Sequence, residues 1–464
     1  MDKQQLKTFI NSFWQEKALP GLAEFIKIPN QSPEFDPEWE SNGHLSNAVQ
    51  SVVEWCHKNS PRGMEIDVIK EEGRTPFILI NILGNTQKNV LFYGHVDKQP
   101  PGDGWDNDLG PYKPVIKDNK IYGRGTVDDG YAVFTAITAV LALQDQNIDH
   151  PNIQIMLEAC EESGSIDLPY YLDNFMHKIN TPDLLICLDS GCGDYDRLWL
   201  TTSLRGMLAG NLKVQVLSEG VHSGLAGGII PSASQILISQ LSKIVNPLTN
   251  TIDLPELNAV IPELRKTQLD AAAEIIGDNI HLDLPFLDGV EPISKDNCDL
   301  FAKQTWGNAI EIIGIDGIPT IANAGNVHRA EVTAKISIRL PPTCKAELAA
   351  KVIKDTLEQS PAYNAKVSFN ITSCNDGWHG AEETKELQQL FTECSQDYFA
   401  NDCAYMGEGG SIPIINLLST RFPKAEYIVT GVLGPHGNAH GPNEFLSILA
   451  VQKFSACIAA ILSK

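Results

Sequence analysis

Apolar and polar positions along the chain follow two periods. Residues 3–28 and 45–58 carry apolar side chains at helical spacing, and 131–143 is an Ala-rich apolar run. That pattern predicts two amphipathic helices and a buried one. Short apolar runs of strand length occur at 77–83, 90–96, 153–159 and 184–188. Such runs interleaved with helices predict an α/β sheet with parallel members. A Gly-, Pro- and Asp-rich loop (100–110) and a turn at 123–130 separate the first strands from the buried helix.

Beyond residue 205 the texture changes. Residues 207–217, 309–313, 329–340 and 365–372 read as strands, and 232–244 and 345–359 as helices. Together they predict a ferredoxin-like split βαβ unit carrying an insertion near 246–307. Helical pattern resumes at 382–400, and the apolar run 427–433 suits another strand of the first sheet. The predicted fold class is therefore α/β: a mixed-sheet catalytic domain in two pieces, 1–205 and 377–464, interrupted by a smaller α/β domain, 206–376.

Length and composition agree with that division. A chain of 464 residues is too long for one ordinary core. Charged residues at 20% and hydrophobic residues at 43% describe a folded globular protein. The formal charge is 35 − 58 = −23, and no Lys/Arg-rich run exists. Phosphate repels a chain of that sign, which argues against nucleic acid and anionic membranes as partners. With no secretory signal pattern and no run of about 18 apolar residues, a cytoplasmic protein is expected. The ten cysteines include no CxxC pair, and Cys160, Cys187 and Cys457 sit in apolar runs. Buried, reduced thiols are the expectation.

Five polar clusters carry the candidate chemistry: Gly94-His95-Val96-Asp97, Asp128-Asp129, Glu161-Glu162, Leu188-Asp189-Ser190 and His436…His440. Four of them directly follow an apolar strand, and open α/β sheets bind ligands beyond the carboxyl ends of their strands. Carboxylates there must be paired or metal-bound. Two His, two Asp and two Glu can build a site for two divalent cations, with zinc favoured by the imidazole and carboxylate donors and manganese or cobalt also suitable. Such a site needs a bridging carboxylate and a neighbouring carboxylate that takes a proton from water. Taken singly, each cluster reads more readily as a structural or solvated loop; their joint occurrence at strand ends reverses that reading.

These segments resemble the dinuclear zinc peptidases that include carnosinase, cytosolic nonspecific dipeptidase, glutamate carboxypeptidase, aminoacylase and succinyl-diaminopimelate desuccinylase. The matching stretches are YGHVD (93–97), GWDND (104–108), YGRGTVDD (122–129), EESG (161–164), LDSG (188–191), LRG (204–206), VHSG (221–224), SIRLP (337–341), EGGSIP (408–413) and AHGPNE (439–444). EGGSIP, LRG and SIRLP point toward the carnosinase-like dipeptidases. The resemblance implies a zinc-peptidase-like fold whose inserted domain is a lid and dimerisation domain. It also implies that His95 and Asp189 hold one metal, that Glu162 and His440 hold the other, and that Asp128 bridges them through a residue followed by a cis peptide. Asp97 would orient His95, and Glu161 would be the general base. His222 would stabilise the oxyanion, in trans across a homodimer, Arg339 would bind the substrate carboxylate, and Glu408 would line its pocket.

One departure stands out. Relatives usually carry lysine and glycine after the second Asp, where this chain has Gly130 and Tyr131. The expected function is hydrolysis of an amide bond in dipeptides or short peptides with a free C-terminal carboxylate. The alternatives are deacylation of N-acyl amino acids and, third, a non-catalytic binding protein on the same fold.

Overall fold

The structure, a computed structural model, describes residues 1–464. The chain divides into two compact units: Met1–Thr202 with Gly380–Met406 and Leu417–Lys464, and Ser203–His379 with Gly407–Asn416.

The first unit is built on a mixed sheet whose strands run in the order Met64–Ile69, Phe77–Ile82, Asn152–Glu158, Asn89–His95, Leu184–Cys187, Glu426–Val429, Trp199–Leu204. Strand Asn89–His95 is parallel to both its neighbours, and Glu426–Val429 is parallel to Leu184–Cys187. Four parallel strands therefore end on the same edge. The near-continuous apolar runs of these strands follow from burial on both faces. Helix Ala132–Asp145 packs on the C-terminal helix Ile448–Leu462, and both are almost wholly buried. Residues Thr126–Asp145 are long and apolar enough to cross a bilayer by composition, but 89% of their apolar 18-residue window is buried within the fold, as in a core helix.

The predicted helix over 3–28 is interrupted. It runs as Lys3–Phe13 and Leu19–Ile26 with a wide turn at Trp14–Ala18, where the Leu19 N–H reaches back to the Trp14 carbonyl. Pro20 has no N–H to donate, so the regular ladder cannot continue through this point. Strand Met64–Ile69, the small sheet Val115–Lys117, Lys120–Tyr122 and Phe445–Ser447, and the C-terminal helix lie outside the predicted set. That last helix is apolar on every face, so it lacks the amphipathic period that betrays a helix.

The second unit contains an antiparallel sheet in the order Ala309–Asp316, Glu331–Leu340, Gly206–Gln215, Lys366–Asn375. Helices Ala233–Leu241 and Ala346–Glu358 bury Ile236, Leu237 and Ile353 with the sheet residues Leu208, Leu212, Ile336, Ile338 and Phe369. This is the predicted split βαβ arrangement. The stretch 246–307 supplies the extra helices Glu263–Ile276 and Asn297–Trp306. All ten cysteines are free, and most are buried.

Candidate metal centre

The edge where the parallel strands end gathers the polar clusters. His95 closes one strand, Glu161 and Glu162 follow the next in a short turn, and Asp189 follows the third. The loop after Glu426–Val429 brings in His440, and Asp128 lies on the turn Thr126–Gly130 before the buried helix. His95 Nε2 lies 3.3 Å from Asp128 Oδ1 and 3.8 Å from Asp189 Oδ1. His440 Nε2 lies 2.9 Å from Asp128 Oδ2 and 3.4 Å from Glu162 Oε2. Two triads result, His95/Asp128/Asp189 and Asp128/Glu162/His440, each with its donor atoms within 4.8 Å of one another. Asp128 belongs to both, one oxygen toward each histidine. The Asp128-Asp129 peptide is cis.

Asp97 organises the rest. Its Oδ1 and Oδ2 accept from the backbone N–H groups of Glu161 (3.1 Å) and Glu162 (3.0 Å). Its backbone carbonyl lies 3.1 Å from His95 Nδ1 and its Oδ1 3.4 Å from the same nitrogen. In the neutral ring, a proton on Nδ1 donated to Asp97 leaves the Nε2 lone pair, which faces Asp128 and Asp189, available to a cation.

The charge balance of this cluster needs cations. Burial pushes the carboxyls of Glu161, Glu162 and Asp189 up, and neighbouring carboxylates add to the effect for each. Burial pulls His95 down, but the Asp189 and Asp128 carboxylates outweigh it and hold the ring well above its ordinary value. His440 is raised by Asp128 against its own burial. Asp128 is lowered, because hydrogen bonds from His440 and His95 overcome its burial. Glu162 Oε1 is buried without a hydrogen-bond partner, while Oε2 accepts from Gln99 Nε2 at 2.5 Å. An orphaned buried carboxylate oxygen, two imidazoles and a surplus of carboxylates fit divalent cations bound by nitrogen and oxygen.

A stability prediction follows. Glu158, also buried here, accepts from Tyr93 Oη (2.7 Å) and Ser165 Oγ (2.8 Å), and burial lifts it from an ordinary 4.5 to about 7. Raised carboxyls bind more protons folded than unfolded, so their stabilisation is complete below the unfolded pKa and is lost as pH rises through the folded one. The melting temperature of chelator-treated protein should fall as pH rises from 4.5 to about 7. Divalent cation should lessen that fall by the share of the candidate ligands His95, Glu162, Asp189 and His440, and a flat profile without cation would contradict the assignment.

The departure at Gly130-Tyr131 has a steric explanation. A Cβ on Gly130 would meet the Gly125 carbonyl at 2.2 Å and the Phe25 ring at 2.8 Å, so no side chain fits on this backbone. Tyr131 is fully buried, and its hydroxyl donates to the carbonyl of Leu188, the residue before Asp189.

The other residues singled out from the sequence, His222, Arg339 and Glu408, belong to the second unit. His222 is exposed, and its Nδ1 accepts from Gly224 N–H at 3.1 Å, so the neutral ring carries its proton on Nε2. Arg339, near the end of its strand, donates to Ser411 Oγ at 3.0 Å. Glu408 ends strand Ala404–Glu408. Arg205 lies outside the predicted set: its Nε donates to Gly409 O (2.9 Å) and its Nη1 to Gly307 O (3.3 Å). Burial and the charge of Arg339 lower Arg205 to about 10, and burial lowers Arg339. Both guanidiniums are held by neutral oxygens, which leaves their charge available to an anion. The LRG segment contained Arg205, but nothing in its local pattern sets it apart from a surface arginine. Gln99, Arg124 and Glu444 also lie outside the predicted set.

The sequence profile described as peptidase family M20/M25/M40 matches residues 91–464. The chain is 30% identical over 365 residues to a cysteinylglycine-S-conjugate dipeptidase of Corynebacterium striatum, covering 76% of each. It is 26% identical over 406 residues to a Cys-Gly metallodipeptidase of Schizosaccharomyces pombe, covering 80% of this chain and 79% of that one. Among solved structures, a dipeptidase from Saccharomyces cerevisiae superposes with a TM-score of 0.79 at 21% identity, over 100% of this chain and 98% of the other.

Proposed function

The chain belongs to peptidase family M20/M25/M40 and is a metallopeptidase, and from that premise we propose that it is a dinuclear dipeptidase. Its substrates are dipeptides or short peptides with a free C-terminal carboxylate. The observation that carries this reading is Asp128, shared by two His-and-carboxylate triads at the ends of parallel strands.

His95, Asp128 and Asp189 would hold one divalent cation, and Asp128, Glu162 and His440 the other, with zinc favoured by the donor set. When bound, such cations polarise the scissile carbonyl and make water a better nucleophile at neutral pH. Glu161 takes the proton from the attacking water and returns it to the leaving amine. Its burial raises its proton affinity, which suits a group that must accept and then donate. Asp97 fixes Glu161 through the backbone and His95 through the ring. His222 Nε2–H donates to the oxyanion, Arg339 with Ser411 receives the terminal carboxylate, and Glu408 lines the pocket for the rest of the substrate.

A homodimer through the second unit is part of this reading. Strand Ala309–Asp316 is a sheet edge and exposes Ile312, Ile313 and Ile315, a surface that invites pairing with a second copy. A cytoplasmic location completes the proposal.

The deciding experiment is release of free amino acid from a dipeptide panel by zinc- or manganese-loaded protein, beside N-acetyl and N-succinyl amino acids. Cleavage of dipeptides alone supports the reading. Turnover of N-acyl amino acids with silence on dipeptides would replace it with a deacylase, and silence on both with two cations bound would favour a binding protein.

Arg339→Met should lower kcat/KM for dipeptides about 10- to 100-fold, mostly through KM, because a charged hydrogen bond contributes roughly 1.5–3 kcal/mol. C-terminally amidated dipeptides should lose nothing further. An equal loss on the amides would remove Arg339 from carboxylate recognition.

A further inference from the structure

A fully buried ion pair of the first unit, Arg124–Glu444, is not among the groups assigned above. Arg124 and Glu444 have side chains 1% and 0% exposed, and Arg124 Nη1 lies 2.7 Å from Glu444 Oε2. Glu444 also accepts from the backbone N–H groups of Gly125 (3.0 Å) and Val127 (3.1 Å) and from Thr126 Oγ1 (3.2 Å). Arg124 spends its other donors on Gly441 O (2.9 Å) and Pro100 O (3.0 Å).

The partners lie beside two of the three candidate ligands of one cation. Val127 precedes Asp128, and Gly441 follows His440. One carboxylate thus grips the turn that carries Asp128, and one guanidinium grips the loop that carries His440. Each segment has turn bonds of its own, such as Gly441 N–H to Asn438 O (2.9 Å) and Thr126 Oγ1 to Gly123 O (2.9 Å), and the pair ties the two segments together. His436, Asn438, His440 and Asn443 all have positive φ, a left-handed conformation in which His and Asn are enriched but which still costs a non-glycine residue more than it costs glycine. Gly125, at φ +76°, leaves no room for a Cβ, which would meet the Lys98 stem at 2.7 Å. A buried ion pair is weak as a source of stability, since apolar residues of like volume often serve as well. Its geometric specificity is what an apolar pair could not supply.

Resting on the metal reading above, we propose that the Arg124–Glu444 pair is a brace that presets the second cation site, holding Asp128 and His440 at a separation one divalent ion can span. Arg124 and Glu444 are positioning residues, since neither is among the donors of the two triads. The first site shares Asp128 but takes His95 and Asp189 from strand ends that the brace does not join, so it should lose less.

The test uses full-length, metal-free protein titrated with Zn2+ by calorimetry against a competing chelator. Asp189→Ala leaves the second site alone, and His440→Ala leaves the first. Added to Asp189→Ala, where both braced ligands serve the remaining cation, Glu444→Gln should weaken it about 10- to 100-fold, and added to His440→Ala, where only Asp128 does, it should weaken it several-fold less. Unchanged affinity in the first background, or equal losses in both, overturns the brace. Arg124→Lys keeps the charge but gives up the reach to Gly441 and Pro100. It should weaken the same cation, and it decides the matter if Glu444→Gln does not fold. The two parent variants separate the readings: if each still binds two cations, the ligand assignment fails and the brace with it. If each binds one and Glu444→Gln changes nothing, the brace alone fails.

Discussion

Glu161→Gln should bind two cations per chain as the wild type does and turn over dipeptides about 10²- to 10⁴-fold more slowly, the contribution typical of a positioned general base and equivalent to roughly 3–5 kcal/mol of barrier. Glutamine keeps the shape and the backbone N–H that Asp97 accepts, so the turn should be undisturbed. What it loses is the capacity to take a proton from water. Glu161 contributes no donor to either triad, so the metal content should not change. Metal analysis beside steady-state kinetics checks both halves. Turnover near wild type would end the base assignment, and a parallel loss of cation would make Glu161 a ligand instead.

His222→Ala should lower kcat about 10²- to 10³-fold with KM changed little, as for removal of one donor to a developing oxyanion. The orientation of the ring supports this role, because Gly224 N–H occupies Nδ1 and leaves Nε2–H as the outward donor. The residue is exposed, so its loss should leave folding intact. A rise in KM with kcat preserved would instead mark His222 as a ground-state contact. Mixing inactive His222→Ala with inactive Glu161→Gln tests whether His222 acts across a homodimer. Random reassortment then restores about a quarter of wild-type activity, since half the dimers carry one complete site. No recovery after verified exchange of subunits would place His222 in its own chain's site.

Much of the centre was legible in the sequence because strand ends are legible. An apolar run that stops at His95, at Glu158 or at Cys187 marks where a buried strand emerges, and polar residues placed just beyond it have few structural reasons to be there. The split βαβ unit was legible for a similar reason: Glu331–Leu340 alternates strictly along one buried face. The interrupted first helix was less so, since the helical period passes unbroken over Pro20 and only the missing N–H reveals the wide turn.

The sequence by itself determined the fold class through local period, and the family through its resemblance over contiguous segments such as 93–97 and 161–164, which also named the candidate residues. Only the tertiary structure brings His95 and His440, from a strand end and a loop 33 and 312 residues away, onto opposite oxygens of Asp128. It also decided that Arg124 meets Glu444, 320 residues later, and that Gly130 has no space for the lysine of relatives. Charge and period are properties of a few neighbouring residues. Which distant charge neutralises a buried one, and which backbone blocks a side chain, depend on how the whole chain closes on its core.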